Sequence, residues 1–470
     1  MIPLTVGEIA RLVSGQVHSV DAGVEVIDVV VDSRSVTPDS LYVAIAGERV
    51  DGHDYASAAV AAGSAVCLTS RVVTDSDGSA LPCIVVDDPV LALGRLARAV
   101  RRDRLGCKVV AITGSSGKTS TKDLLAQVLT VMGRTTSAVG SFNTEVGVPL
   151  TILSADADTE YLVVEMGMRG AGHIAYLVDI AQPDVGVIIN IGSAHVGMLG
   201  TREAIGEAKG ELVTGLTSQD TAVLNSDDPI VRALRDRTSA NVVTFGESGD
   251  ADVRATDVRL DDRARASFTL TDRRGDREDA QPVTLQFSGE HYVSNALAAS
   301  AAALSVGASM EQVADALRAA TPQSRWRMEV SEAPGGITVI NDTYNANPES
   351  MRAALKTLVA MGAGRRTWAV LGEMRELGDD ALVEHDAIGR LAVRLDISRL
   401  VCVGPATRVM HLAASGEGSW GDESAHVPDI DAAIEHLREH LRPGDVVLVK
   451  ASRSVGLERI ADALMSGVTS

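Results

Sequence analysis

The run Thr113-Gly114-Ser115-Ser116-Gly117-Lys118-Thr119 puts two glycines, two serine hydroxyls and one ammonium within seven residues. Glycines let successive backbone N–H groups turn toward one point, and a helix starting there adds its partial positive charge. Such a loop cradles phosphates, which Gly114, Ser115, Ser116 and Gly117 would surround. Lys118 would reach the β and γ phosphates, and the Thr119 hydroxyl would hold Mg²⁺. The expected ligand is therefore ATP with its metal. Ile112 stands where the strict GxxxxGK[ST] pattern has its first glycine. That departure argues against a P-loop switch or transport motor. The bland alternative is a Gly/Ser turn ahead of a structural helix.

Three further groups could join this chemistry. Glu165 closes the apolar run Val163-Val164-Glu165 and offers a hard oxygen ligand for Mg²⁺. His195 follows Asn190-Ile191-Gly192-Ser193-Ala194. By itself such a histidine is more often a loop residue than a ligand. Lys209 lies in Ala208-Lys209-Gly210-Glu211 and reads alone as a surface helix lysine. Lysine usage adds a signal. Of 43 basic residues only those at 108, 118, 122, 209, 356 and 450 are lysine. Where arginine is the default, a compact ammonium invites a reason, at Lys209 and Lys450 as well as Lys118.

Stepping outward, the elements that must hold these groups are those of an α/β protein. Residues 109–113, 162–165 and 185–191 are short apolar runs followed by Gly, Ser or Asn. Runs of this kind suit parallel strands buried on both faces. Leu124, Leu125, Val128, Leu129 and Met132 recur at helical spacing over residues 119–132, and Gly133 is the expected stop. These elements predict a doubly wound central sheet over residues 105–321. After Pro322 a second α/β block, 322–470, has strand candidates at 338–341, 367–371, 400–403 and 446–449. Residues 1–104 form a third, smaller α/β unit, with a strand at 41–46 and a helix at 91–104. Residues 101–104 are expected to be a linker, and the Asp/Arg-dense segment 259–281 an exposed hairpin or loop.

Bulk properties exclude several classes. A net charge of −20 and 3% aromatics leave no basic footprint and no stacking platform for nucleic acid. Cys67, Cys83, Cys107 and Cys402 lack paired spacing and read as buried thiols in a reduced compartment. No apolar run approaches the ~20 residues of a membrane span, and residues 1–11 lack a signal peptide's pattern. A cytoplasmic protein is expected.

The motifs occur in a specific order. TGSSGKT is followed by FNTEVGVP (142–149), VEMG, NIGSAH, EAKGE and LNSDDP (224–229). Then come GEHYVSNALAA (289–299), RWRME (325–329), NDTYNANPESM (341–351), LGEMRELG (371–378) and KASR (450–453). The ordered set resembles the Mur ligase family of peptidoglycan precursor synthesis over nearly the whole chain. YNANP and LGEMRELG resemble the branch that joins D-alanyl-D-alanine to UDP-N-acetylmuramoyl-tripeptide.

That resemblance implies an N-terminal UDP-sugar domain, a central ATPase and a Rossmann-like C-terminal domain for the incoming amine. ATP would phosphorylate the peptide's terminal carboxylate, and the amine would attack the acyl phosphate. By the same resemblance Lys118 and Thr119 bind phosphates and a first Mg²⁺, with Glu165 a ligand of that ion. His195 is similar to a ligand of a second Mg²⁺. Lys209 matches a lysine often carried as a carbamate, an N6-carboxylysine. Asn295, with His291 nearby, resembles the adenine contact, Arg327 the arginine that reaches the ATP phosphates, and Asp342 the ribose-binding aspartate. Asn345, Asn347, Lys450, Ser452 and Arg453 fall at amine-substrate positions. Ser33, Arg34, Asp51, Gly52 and His53 match the UDP-sugar region more loosely. No general base stands out; His195 or a water could take the amine's proton. No obligatory protein partner is evident, and a monomer is expected.

One departure concerns the ATP-binding Asn143. The family often has paired asparagines there, and this chain has Asn143-Thr144. The Asn-Pro-Arg motif of the sibling that adds the third residue is absent. A sibling Mur or folylpolyglutamate-type ligase, or a nucleotide-binding protein without turnover, are the competing readings. Arg327 and Asp342 lie beyond Pro322, so the C-terminal domain would have to close over ATP held in the centre.

Overall fold

The computed structural model describes residues 1–47, 49–138, 140–193, 196–275, 278–418 and 421–467. His195 lies outside the described residues. Three main sheets follow one another along the chain.

The central sheet has nine strands in the order Asp279–Ser288, Arg265–Asp272, Val253–Leu260, Asn241–Gly246, Thr221–Asn225, Val185–Ile188, Lys108–Thr113, Tyr161–Glu165 and Thr135–Ser137. From Thr135–Ser137 across to Val253–Leu260 every pairing is parallel. Lys108–Thr113 sits inside the sheet, and the chain winds from it first to one side and then to the other. The crevice beyond the carboxyl ends at such a reversal is where open α/β sheets bind ligands. Register places the candidates there. Glu165 pairs with Ile112, and Ile188 with Thr113. Val109, Val110, Ile112, Val163 and Val187 are fully buried, as strands covered on both faces require.

The helix Lys118–Thr130 follows the loop directly, and its last turn closes before Gly133. Gly133 is not a left-handed cap; it lies against the Glu160 carboxylate, which a side chain would strike. The alanine-rich helix His291–Ser305 packs beside Lys118–Thr130 and is buried along nearly its whole length. Its small side chains permit that close approach.

Two expectations need correction. Residues 101–103 end the helix Pro89–Asp103 and are not a linker. The Arg101 guanidinium donates to the carbonyls of Ala181 and Gln182 and pairs with Asp184, which fixes the first unit to the second. Segment 259–281 is hairpin, as expected, but it is only partly exposed. It runs through the antiparallel strands Val253–Leu260, Arg265–Asp272 and Asp279–Ser288, which extend the central sheet. Ala266, Phe268 and Leu270 alternate inward, while Arg265–Asp261 and Arg274–Asp272 pair at its margins.

The C-terminal sheet has the order Glu329–Ala333, Ile337–Asn341, Val446–Lys450, Thr367–Leu371, Arg399–Val403 and Ser424–Val427, parallel except for its first pair. The N-terminal sheet runs Gln16–His18, Cys83–Val85, Val66–Thr69, Ser40–Val43 and Asp28–Val30. All four cysteines are buried free thiols. Among the described residues no helix is long and apolar enough to cross a membrane.

Candidate active site

A cavity of about 350 Å³ opens at the carboxyl edge of the central sheet and is walled on its far side by the C-terminal unit. Ser115, Ser116, Gly117, Lys118 and Thr119 line it from the loop, with Asn143 and Glu165 beside them. His291, Asn295, Arg327, Asp342, Asn345, Asn347 and Lys450 complete the wall among the expected residues.

Gly117 shows why the loop needs glycine. Its φ is +79°, and a Cβ there would lie 2.5 Å from Asn295 Oδ1. The Asn295 side chain therefore packs onto the loop itself. Its Nδ2 is buried with no partner among the described residues, leaving a donor available to a ligand. Asn190 holds the loop's other side, its Oδ1 accepting from the N–H groups of Ser115 at 3.1 Å and Ser116 at 3.0 Å.

The Lys118 ammonium donates to the Gly114 carbonyl at 2.8 Å. Burial and the nearby Arg327 hold its pKa below the ordinary lysine value, opposed by Glu165 and Glu376. Thr119 Oγ1 donates to Glu165 Oε2 at 2.7 Å, and Asn143 Nδ2 donates to Oε1 at 2.7 Å. Two side chains thus fix the buried carboxylate beside the start of the helix that follows the loop. Thr144, by contrast, faces its own chain. Its hydroxyl accepts from the N–H groups of Val146 and Gly147 at the start of Gly147–Ser154.

Lys209 lies on the helix Arg202–Thr214 but is no surface residue. It is fully buried, its Nζ has no partner among the described residues, and it does not itself line the cavity. Its pKa falls well below the lysine range, through burial first and then through repulsion by Lys118.

From the C-terminal unit Arg327 reaches across, its Nη2 donating to Ser141 Oγ at 2.8 Å. Ser141 in turn lies 3.0 Å from Thr119 Oγ1. The guanidinium stacks 4.0 Å above the Tyr344 ring. Trp326 and Met328, on either side of it, have φ of +61° and +51°. Left-handed backbone at two bulky residues is strain of the kind stored at functional sites. Asp342 is held by the Met328 N–H at 3.1 Å and by Lys450 Nζ at 2.6 Å. Lys450 also donates to the Asn345 carbonyl, so it anchors the 342–345 segment from beneath. Asn347 caps the helix Pro348–Met361 and donates to the Ser115 carbonyl at 3.3 Å.

The remaining expected residues lie elsewhere. Gly114 is buried under the loop, and Ser452 is buried against Arg375 N–H and the Ala346 carbonyl, off the cavity wall. Arg453 stacks 4.1 Å over Trp326. In the N-terminal unit, His53 Nε2 accepts from Ser70 N–H at 2.9 Å, so Nδ1 carries the proton donated to Asp51 at 2.6 Å. Asp51 also caps the turn at Gly52–Tyr55, whose Gly52 carbonyl accepts from Tyr42. Ser33 and Arg34 sit on an exposed turn, where Arg34 pins Asp32 and holds its carboxyl at about 2. None of these five lines the cavity.

Sequence reasoning missed Ser141, Asn190, Tyr344 and Glu349. The last three stood inside motifs already singled out. Glu349 accepts from the N–H and hydroxyl of Ser193 across the boundary between the units.

A phosphate loop at a switch point, a buried carboxylate on its threonine, a buried lysine and an arginine from a second domain define a nucleotide-dependent ligase site. Three family descriptions match the chain: the Mur ligase catalytic domain over residues 26–101, the middle domain over 112–303 and the glutamate ligase domain over 326–453. The chain belongs to the Mur ligase family. It is 46% identical to a UDP-N-acetylmuramoyl-tripeptide–D-alanyl-D-alanine ligase of Mycobacterium tuberculosis, over 100% of this chain and 99% of the relative. A ligase of the same name from Escherichia coli is 33% identical, with 100% of both chains covered. Among solved structures, MurF from Acinetobacter baumannii matches with TM-score 0.86 and 32% identity over 99% of each chain. MurF from Thermotoga maritima in complex with ADP matches with TM-score 0.78 and 28% identity, over 94% of this chain and 97% of that one.

Proposed function

We propose that this chain joins D-alanyl-D-alanine to UDP-N-acetylmuramoyl-tripeptide at the expense of ATP, giving UDP-N-acetylmuramoyl-pentapeptide, ADP and phosphate. The observation that carries it is the cavity shared by two units, with Lys118 on one wall and Arg327 on the other. Full-length likeness to ligases of that name supplies the substrates.

A carboxylate attacking the γ-phosphate brings two anions together. Lys118 and Arg327 offset that repulsion and stabilise the charge spread over the transferring group. The loop aims the phosphates, while Asn295 and His291 face the base and Asp342 the ribose. The amine of D-alanyl-D-alanine then displaces phosphate from the acyl phosphate, near Asn345 and Asn347. We take Ser33, Arg34 and the Asp51–His53 turn to lie toward the UDP-sugar. The domain divisions we assign are 1–104, 105–321 and 322–470, and we take the enzyme to act as a cytoplasmic monomer.

Mg²⁺ fits the oxygens present. Thr119 Oγ1 and the Glu165 carboxylate form a hard donor pair beside the phosphate loop. When bound, one or two such ions neutralise phosphate charge and polarise the γ-phosphoryl group. Among the described residues no cluster of three His, Cys, Asp or Glu surrounds a point. A second ion would use Lys209 as a carbamate, with His195. Burial shifts Lys209 toward its neutral amine, the form that captures CO₂.

The test is phosphate release with both substrates, each omitted in turn. Release requiring both, with a pentapeptide product by mass, supports the reading. Release with a free amino acid in place of the dipeptide moves the chain to a sibling activity. No release under any condition overturns it.

A further inference from the structure

The motifs NIGSAHVGMLG and LGEMRELG each carry a glycine that the catalytic roles above leave unused, Gly197 and Gly378. They come from different units and meet. A Cβ built on Gly197 would lie 2.6 Å from the Gly378 nitrogen and 2.9 Å from its Cα. A Cβ on Gly378 would lie 2.7 Å from the Gly197 Cα. The obstacles are backbone atoms on both sides, so no rotamer change relieves them.

Both sides are held firmly. Gly378 follows a braced segment. Met374 N–H donates to the buried His385, Arg375 N–H donates to Ser452, and Leu377 is buried. Gly197 sits in the short helix Val196–Leu199, whose Val196 N–H bonds the Ser193 carbonyl. Beside this contact, Glu349 accepts from Ser193 N–H at 2.9 Å. The C-terminal unit therefore rests on Ser193 and Gly197 at one margin, while Arg327 reaches Ser141 elsewhere along the same interface.

We propose that Gly197 and Gly378 are positioning residues for ligation: two bare backbones in contact set the depth to which the C-terminal domain closes. A side chain at either would stop closure short and hold Arg327 away from the phosphates. This rests on the ligase reading for its chemistry, but the contact itself is independent of which amine is joined.

Gly197→Ala separates this role from a folding role. Alanine is the better helix former, and the three atoms nearest an added Cβ at Gly197 all belong to the backbone of Leu377 and Gly378. Gly416→Ala, on a helix with nothing within 4 Å of its added Cβ, is the control. Thermal unfolding of Gly197→Ala should match or exceed that of the parent. Solution scattering with a non-hydrolysable ATP analogue and UDP-N-acetylmuramoyl-tripeptide should show less compaction than the parent. The kcat should fall about 10- to 100-fold, the scale of a ~1 Å misplacement, with the KM for the UDP-linked substrate little changed. Parental kcat with parental compaction in Gly197→Ala overturns the proposal, and so does loss of fold in that variant. A parent that compacts but releases no phosphate would fault the assigned reaction and leave the closure test standing.

Discussion

The charge of Lys118 disfavours a proton on Lys209, and Lys209 is fully buried with no hydrogen-bond partner among the described residues. Its pKa is depressed from the ordinary 10.5, so the unfolded chain takes up its proton more readily than the folded one. Stability on this account is fully present above about pH 10.4 and is lost as pH falls toward the folded value. Lys209→Met should therefore stabilise the protein at pH 7 in CO₂-free buffer by at least about 1 kcal/mol. The gain should shrink toward pH 10. Added bicarbonate should stabilise the parent and not the variant, as urea denaturation would read. A variant less stable than the parent at pH 7 without bicarbonate would contradict this account.

His291 gives a pH signature on the acid side. Burial pushes its imidazole down to about 4 from 6.5, with Asp342 opposing and Lys450 assisting. The depressed value means stability is complete above about pH 6.5 and is lost as pH falls through about 4. The full gap corresponds to at most about 3 kcal/mol, less what the ring's partial exposure to water screens. His291→Phe should flatten that part of the acid limb in denaturation midpoints between pH 7 and 4. An unchanged slope would assign the acid loss to carboxylates instead.

How far the chain could be read without coordinates depended on range. The strand before the phosphate loop, the helix after it and Glu165 at the neighbouring strand's end follow from local apolar pattern, and the structure has them all. Residues 101–104 misled because arginines at a helix end resemble a linker until their distant carbonyl partners are known. The burial of Lys209 was likewise invisible, since its helix reads as amphipathic and its cover comes from elements remote in sequence. The left-handed backbone at Trp326 and Met328 carries no residue signature at all, because neither side chain favours it. Of the six lysines, Lys122, Lys209 and Lys450 are buried, and Lys122 grips the carbonyls of Ala138 and Gly140.

Lys450 and Asp342 form a mostly buried ion pair at 2.6 Å. Breaking such a pair leaves one charge unpaired, at a cost of about 3–5 kcal/mol. Lys450→Met should lower the denaturation midpoint accordingly and raise the KM for ATP, since Asp342 lines the nucleotide cavity. Adding Asp342→Asn should return part of the lost stability without returning ATP affinity. If the double variant is less stable than Lys450→Met alone, the two residues do not act as a pair.

The passage from the central unit to the C-terminal one is tied to the phosphate-loop helix itself. Gln127 accepts from Thr321 N–H at 3.0 Å and donates to the Thr321 carbonyl at 3.1 Å, while Ser324 Oγ donates to Asp123 Oδ2 at 2.5 Å. Asp123 also pairs with the buried Lys122, which holds the Ala138 and Gly140 carbonyls next to Ser141. Ser141 is the group that Arg327 reaches. A continuous chain of contacts thus links the boundary through one helix turn to the loop that meets the arginine. Ser324→Ala removes a charge-assisted hydrogen bond of about 1.5–3 kcal/mol but no core packing. The expected result is a higher KM for ATP and a several-fold lower kcat, with a denaturation midpoint lowered by no more than that bond contributes. Ser324→Thr, which keeps the hydroxyl, should restore both constants. Parental kinetics in Ser324→Ala would mean that Gln127 and Thr321 hold the boundary unaided.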